Sequence, residues 1–414
     1  MWKVEDYNVY EEMLLNDYEN DEQIIETISK RFTTYGYKRI KTSAFEHYDL
    51  YSKVKSAINQ NEMIKVIDST GEVLVLRPDV TIPVTQQLAQ RTGKLSSELR
   101  YYYVQEVFRQ PFERSEKIAS TQAGIEYFCE SSPEADAEVI ALACHTMKDL
   151  GFNDIKIEIG HAAFFNELVQ DLPITSQQVG QLKTLIQAKN IVEIGPFLEN
   201  FQIANEVKQA IEQIPFLYGN PSDVYDRANG NALTKKMQDT LDYIMDVYRI
   251  LKMYGLEQYI VIDLGLINHM DYYSDVIFQG YVGRFGKPVL MGGRYDQLGN
   301  EFGATLPAIG FACEIESLAK ASEKSKRPST TIDVKIVYED VQVGQAIQIA
   351  NELRGRDYRV LSFPKRKEQS DYQQSDYVIQ LTETDSSLHY NEELISFSSM
   401  KELLDLLASV KGAL

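Results

Sequence analysis

Four short stretches of this chain gather side chains suited to holding a free amino acid. They are Leu76-Arg77-Pro78-Asp79-Val80-Thr81, Val107-Phe108-Arg109 with Thr121-Gln122-Ala123-Gly124-Ile125-Glu126, Met270-Asp271-Tyr272-Tyr273, and Gly292-Gly293-Arg294-Tyr295-Asp296. Each falls near the end of a segment that reads as a strand, where loops set polar groups over a rigid sheet. Together they supply acceptors, an amide, phenols and guanidinium groups. Asp79 and Glu126 suit the ammonium of an amino acid, and Arg109 suits its carboxylate. Tyrosines and a glutamine in a closed pocket suit a polar side chain. Taken singly, each stretch has a plainer reading. Arg-Pro-Asp is usually a turn with a satisfied ion pair, one of two adjacent tyrosines faces a core by alternation, and Gly293-Arg294-Tyr295 reads as a tight turn. His47, His145, His161 and His389 show no ligand spacing, so no metal site is expected. Neither phosphate-binding glycine fingerprint is present, and no cofactor is expected.

The elements that must position these groups can be read from periodicity. Ile24, Ile25, Ile28 and Phe32 fall at helical spacing and predict a helix over 20–36, stopped by Gly36. Residues 37–46 read as extended. Gly71 to Leu76 is a strand that Pro78 must end, and residues 80–91 read as a helix. Leu99–Phe108 and Ser120–Phe128 predict a hairpin with a long polar loop, followed by a helix over 133–150 between Ser132-Pro133 and Gly151. Residues 161–255 read as an inserted, mostly helical subdomain. Strands return at 259–264, 275–281 and 289–290, then a glycine-rich turn over 291–296. The stretch 309–318 passes from strand into helix. The expected fold class is α+β, an antiparallel sheet flanked by helices. Residues 1–320 form the core domain, 321–331 a polar linker, and 332–414 a small α/β domain opening with a β-α-β unit.

Composition narrows the function. The chain has 414 residues, with 42 Lys plus Arg against 61 Asp plus Glu, for a formal charge of −19. A surface this acidic opposes nonspecific nucleic-acid binding, which needs cations against phosphates. The basic run Lys365-Arg366-Lys367 reads as a solvated loop. The three cysteines, Cys129, Cys144 and Cys313, share no C-x-x-C spacing. They suit a reducing cytoplasm better than a disulfide framework. No leader pattern and no membrane-spanning apolar run is read.

Taken in order, the stretches resemble the histidyl-tRNA synthetase fold of the class II synthetases. Gly36-Tyr37 through Glu46 is similar to motif 1, and Arg100 through Glu126 to motif 2, with Thr121–Glu126 standing for H-Q-x-G-V-E. Met270–Tyr273 resembles L-D-Y-Y, Met291–Asp296 resembles G-G-R-Y-D-G-L, and Ala308–Ala312 resembles the start of motif 3. The departures are selective. Ser317 stands where the motif 3 arginine belongs, Glu314 replaces its glycine, and Asn268 replaces the arginine that activates histidine. Ser43 replaces the motif 1 proline, and Arg109 is followed by Gln110-Pro111-Phe112-Glu113 instead of x-E-R-P. What remains is the set that would hold histidine: Asp79, Thr81, Arg109, Gln122, Glu126, Tyr272 and Tyr273. This profile, with L-R-P-D-x-T at 76–81, resembles the ATP phosphoribosyltransferase regulatory subunits. The resemblance implies a chain without catalytic residues that self-associates as a homodimer. It further implies a hetero-octamer with the short-form catalytic subunit, in which the chain supports activity and transmits feedback inhibition by L-histidine in the first step of histidine biosynthesis. The tail beyond 332 resembles a remnant of an anticodon-binding domain. A divergent, active histidyl-tRNA synthetase is the alternative.

Overall fold

The computed structural model describes residues 4–54, 60–91, 97–110, 118–230, 232–267, 272–322, 332–365, 375–390 and 393–411. The chain divides into two compact units, residues 17–323 and residues 1–16 with 324–414. Helix α1 (Val4–Thr34) begins well before the expected start, because neither glycine nor proline interrupts the sequence between Lys3 and Tyr35. Gly36, at φ +80°, follows its end. Short strands β1 (Lys38–Arg39) and β2 (Phe45–His47), helix α2 (Tyr48–Lys53), and strands β3 (Lys65–Ile67) and β4 (Val73–Leu76) lead to α3 (Thr81–Ala89). Strands β2, β4 and β3 pair as a small antiparallel sheet.

The hairpin of β5 (Leu99–Phe108) and β6 (Ala119–Phe128) pairs from Leu99↔Phe128 to Phe108↔Ala119. Helix α4 (Pro133–Asp149) follows; the Ser132 side chain accepts from Ala135 N, and Gly151 at φ +86° lies past the end. After β7 (Ile155–His161) come α5 (Ala162–Val169), α6 (Ser176–Gln187), α7 (Ile191–Glu199), α8 (Asn205–Gln213), β8 (Tyr218–Gly219), α9 (Pro221–Asn229) and α10 (Lys235–Met253). Strands β9 (Ile260–Asp263), β10 (Val276–Val282), β11 (Leu290–Arg294) and β12 (Ala308–Glu314) precede α11 (Ile315–Ala321). The large sheet has the order β1-β5-β6-β12-β11-β10-β7-β9-β8 and is antiparallel except at β1/β5 and β7/β9.

One expectation fails here. Met291–Asp296 is not a turn; β11 runs through both glycines to Arg294. The glycines serve close approach instead of chain reversal. A Cβ on Gly292 would lie 2.4 Å from the Gly310 carbonyl oxygen and 2.6 Å from the Phe278 ring.

The two faces of this sheet differ. Partners across an antiparallel ladder share a face, and neighbours along a strand alternate. The row Tyr102–Ile125–Phe311–Gly292–Phe278–Ile159 therefore lies on one face. It belongs to the main core with α1, α4 and α10. Phe32 of α1, fully buried, stands edge-on to Tyr102 and Phe311 at 5.8 and 5.7 Å. Burying such a ring stabilises the fold by about 1.5–3 kcal/mol. The row Tyr101–Glu126–Gly310–Gly293–Ile277 lies on the opposite face, where a second apolar cluster gathers α2, α3, Tyr103, Phe128 and Tyr295.

The smaller unit holds β13 (Ile332–Tyr338), α12 (Val343–Arg354), β14 (Val360–Pro364), β15 (Ser375–Leu381), β16 (Ser386–Tyr390), β17 (Glu393–Ser396) and α13 (Met400–Lys411). Strand β13 pairs in parallel with β14 and β15, and β15, β16 and β17 continue antiparallel. Among the described residues no helix is long and apolar enough to cross a membrane.

Candidate functional site

On the second face of the large sheet lies a cavity of about 250 Å³, and Asp79, Thr81, Arg109, Gln122, Glu126, Tyr272 and Tyr273 all line it. Its floor is nearly bare backbone. Gly310 lies opposite both Glu126 and Gly293, and Ala312 lies opposite Gly124. The missing side chains leave room for their neighbours. A Cβ on Gly293 would lie 2.7 Å from the Tyr273 ring, and one on Gly124 would lie 2.5 Å from the Tyr103 phenol. At Gly310 the added Cβ would lie 2.3 Å from both Glu126 Oε2 and the Ile125 carbonyl oxygen. Gly310→Ala is therefore expected to destabilise the fold by about 1–3 kcal/mol or more, read from its urea midpoint. An unchanged midpoint would mean the floor yields easily.

The turn after β4 delivers the acidic pole. Arg77 does not reach the cavity. It is buried, donating from Nη2 to the Glu106 carbonyl at 2.7 Å and from Nη1 to the Ser43 carbonyl at 2.6 Å. It is a strut that fixes the turn. Pro78 breaks the strand, and its carbonyl accepts from Arg109 Nε at 2.9 Å. Asp79 then projects at the start of α3, where its Oδ1 accepts from Ile82 N at 2.8 Å. A carboxylate is favoured at that end of a helix. Burial pushes Asp79 above its ordinary value, while the Ile82 amide and Arg109 pull it back.

Glu126 forms the other pole. Its Oε1 accepts from Thr81 Oγ1 at 2.5 Å, and its Oε2 accepts from the Tyr295 hydroxyl. Burial raises it to about 8, against the two hydroxyls, and Asp79 adds to the rise. Two buried carboxyl groups thus face one cavity. Tyr272 and Tyr273 pack 4.8 Å apart, and Tyr295 stands edge-on to Tyr272 at 5.9 Å. Burial raises all three phenols, so they serve as neutral hydrogen-bonding groups. Gln122 lies in the row between Gln105 and Glu314. At that end, Glu314 and Ser317 also line the cavity, with Ser317 Oγ donating to Glu314 Oε2 at 3.0 Å.

Of the guanidinium groups in the candidate stretches only Arg109 lines the cavity, and the set expected to hold histidine omits two phenols that do. Arg294 is on the opposite face, buried against Asp136 and Asp296. Tyr295, the next residue, lines the cavity, as does Tyr103. Period-two alternation from Gly293 was the signal for Tyr295, and an aromatic opposite Gly124 was the signal for Tyr103. Asn268 lies outside the described residues. Among those described, no group of His, Cys, Asp and Glu can hold a metal ion.

With this geometry in hand, the relatives become informative. The family described as Histidyl-tRNA synthetase matches residues 9–318. An ATP phosphoribosyltransferase regulatory subunit from Oceanobacillus iheyensis is 42% identical over 389 residues, 94% of this chain and 95% of that protein. A crystal structure of an ATP phosphoribosyltransferase regulatory subunit/histidyl-tRNA synthetase from Bacillus halodurans is 28% identical, with TM-score 0.77, covering 88% of this chain and 94% of that one. Histidyl-tRNA synthetase from a Nostoc species shares the fold at 20% identity, with TM-score 0.81 and 96% of both chains covered. This chain belongs to the ATP phosphoribosyltransferase regulatory subunits, a family built on the histidyl-tRNA synthetase fold.

Proposed function

We propose that this chain is the non-catalytic partner of a short-form ATP phosphoribosyltransferase catalytic subunit, and that L-histidine bound in the cavity is its feedback signal. The observation that carries the reading is the cavity itself. Asp79 and Glu126 offer acceptors to the ammonium of an amino acid, Arg109 offers a cation to its carboxylate, and Gln122, Tyr272 and Tyr273 offer polar partners for a side chain. A volume of about 250 Å³ suits one small metabolite, since sites for drug-sized ligands run to roughly 300–1,000 Å³.

The active-synthetase reading is disfavoured by the other end of the cavity. Glu314 presents a carboxylate at the end of the cavity where the resemblance to the synthetases would put nucleotide phosphates, and like charges repel there. Ser317 supplies a hydroxyl in place of a guanidinium. Homodimers assembled with the catalytic subunit into a hetero-octamer, acting in the cytoplasm, complete the proposal. The free thiols of Cys129, Cys144 and Cys313 agree with a reducing compartment.

The test is an assay of phosphoribosyl-ATP formation by the short catalytic subunit, with and without this chain and with and without histidine. Activation that histidine suppresses is the expected result. Absence of both activation and association would overturn the proposal. Histidine-dependent exchange of pyrophosphate into ATP by this chain alone would restore the synthetase reading.

A further inference from the structure

The cavity wall continues into a second polar assembly on the opposite face of the sheet. Tyr295 lines the cavity, and Arg294 beside it is only 2% exposed. Its Nε donates to Asp136 Oδ1 at 3.0 Å, and its Nη1 donates to the Glu130 carbonyl at 2.9 Å and to Asp296 Oδ1 at 3.0 Å. Asp136, fully buried in the first turn of α4, accepts on its other oxygen from the Tyr243 hydroxyl of α10 at 2.9 Å. The Tyr243 ring stands edge-on to His161 at 6.1 Å, and His161 Nδ1 accepts from Ala163 N at the start of α5. Tyr272 and Tyr273 show the same continuity. Ser274, next in the chain, donates from its amide to the Arg294 carbonyl at 2.9 Å, and its hydroxyl accepts from Asp296 N at 3.3 Å. Across the peptide links Tyr295–Arg294 and Tyr273–Ser274, hydrogen bonds and packed rings thus lead from the cavity wall to α4, α5 and α10.

An apolar filling of equal volume would hold helices to this sheet at least as well, because buried ion pairs rarely repay their desolvation. A buried polar network does something an apolar one does not. Its members must stay mutually satisfied, so a displacement at one end is met by rearrangement at the other. Coupling between sites can travel through contiguous networks of this kind, and coupled binding equilibria are reciprocal.

We propose that Arg294, Asp136 and Tyr243 form a positioning relay that ties occupancy of the cavity to α4, α5 and α10, making this helical segment the part of the subunit that answers the ligand. The inference rests on the reading that the cavity binds histidine. Arg294 acts through Tyr295, and Tyr243 acts through Asp136; neither touches the ligand.

The decisive variant is Tyr243→Phe, which removes one hydroxyl and keeps the ring against His161. Asp136→Asn, of the same shape, is the second. Amide hydrogen exchange of the full chain is measured with and without L-histidine, beside calorimetric binding. In the parent, histidine is expected to slow exchange in α5 and α10 by roughly fivefold or more, the lower end of ordinary allosteric coupling. Tyr243→Phe and Asp136→Asn are expected to bind histidine while α10 no longer responds. Binding to the parent without any change in α10 would overturn the relay. So would an unaltered response in both variants, or loss of binding in a folded Tyr243→Phe. No binding to the parent would overturn the histidine reading, and the relay with it.

Discussion

Replacing Asp79 by Asn is expected to raise the histidine concentration for half-inhibition of the reconstituted phosphoribosyltransferase by roughly 30- to 700-fold. The estimate follows from about 2–4 kcal/mol for removing one member of a buried, charge-assisted pair, with tenfold for each 1.4 kcal/mol. Asn is chosen over Ala because Asp79 has a second task. Its Oδ1 takes the Ile82 amide at the start of α3, and an Asn carbonyl preserves that contact. The variant should therefore keep its fold and still activate the catalytic subunit. Calorimetric titration with histidine and inhibition curves for the reconstituted complex both read the effect. Inhibition at the parent's histidine concentration would place the working site outside this cavity and leave the cavity a relic of the synthetase fold.

Glu126→Ala tests the opposite pole and should also relieve inhibition, but it leaves the Thr81 and Tyr295 hydroxyls without their acceptor. Its loss of binding mixes a missing ligand contact with a disturbed wall. Asp79→Asn is the cleaner experiment for that reason.

What the sequence makes legible follows from how local the signal is. The hairpin Leu99–Phe108 with Ala119–Phe128 is visible because both strands are aromatic and β-branched and a polar loop separates them. Helix α4 is visible because Ser132, Pro133 and Gly151 mark its ends. Asp79 and Glu126 stand out because carboxyl groups beside apolar strand residues are uncommon. Their shared cavity depends on the pairing of β6, β12 and β11, whose partners lie far apart in the chain. No local pattern announces that pairing. The glycines show the limit most clearly. Gly292 and Gly293 read as a turn because glycine commonly serves reversal, yet here they let Phe278 and Tyr273 press against the sheet. Once that stretch is read as a turn, alternation is lost. Arg294 and Tyr295 are then grouped in one candidate stretch, and nothing separates the phenol that lines the cavity from the guanidinium that turns away from it. Strands β16 and β17 went unread for a similar reason: β17 is a short edge strand exposing Leu394, with little alternation to find; helix α13 was overlooked although Leu403 and Leu407 stand at helical spacing.

Glu126→Gln is expected to be more stable than the parent above neutral pH and no more stable near pH 4. Burial holds Glu126 at about 8, against an ordinary value of 4.5. Below the lower value both the folded and the unfolded chain keep the proton, so folding costs nothing extra. Between the two values the unfolded chain sheds a proton that the folded chain retains, and stability falls as pH rises. Above the higher value the folded chain holds a buried carboxylate, and the loss is complete. The full span corresponds to a ceiling of about 5 kcal/mol at 1.36 kcal/mol per pH unit, of which relaxation around the charge leaves about 2–4. Glutamine has no charge to bury, so its stability should be flatter across the same window. Urea denaturation of both proteins at pH 4.5, 6, 7.5 and 9 reads the difference directly, and parallel curves would refute it. A group that weakens its own fold at working pH is retained where it meets a ligand, because stability and binding compete for the same buried charge. The stabilised Glu126→Gln protein should accordingly answer histidine less than the parent does.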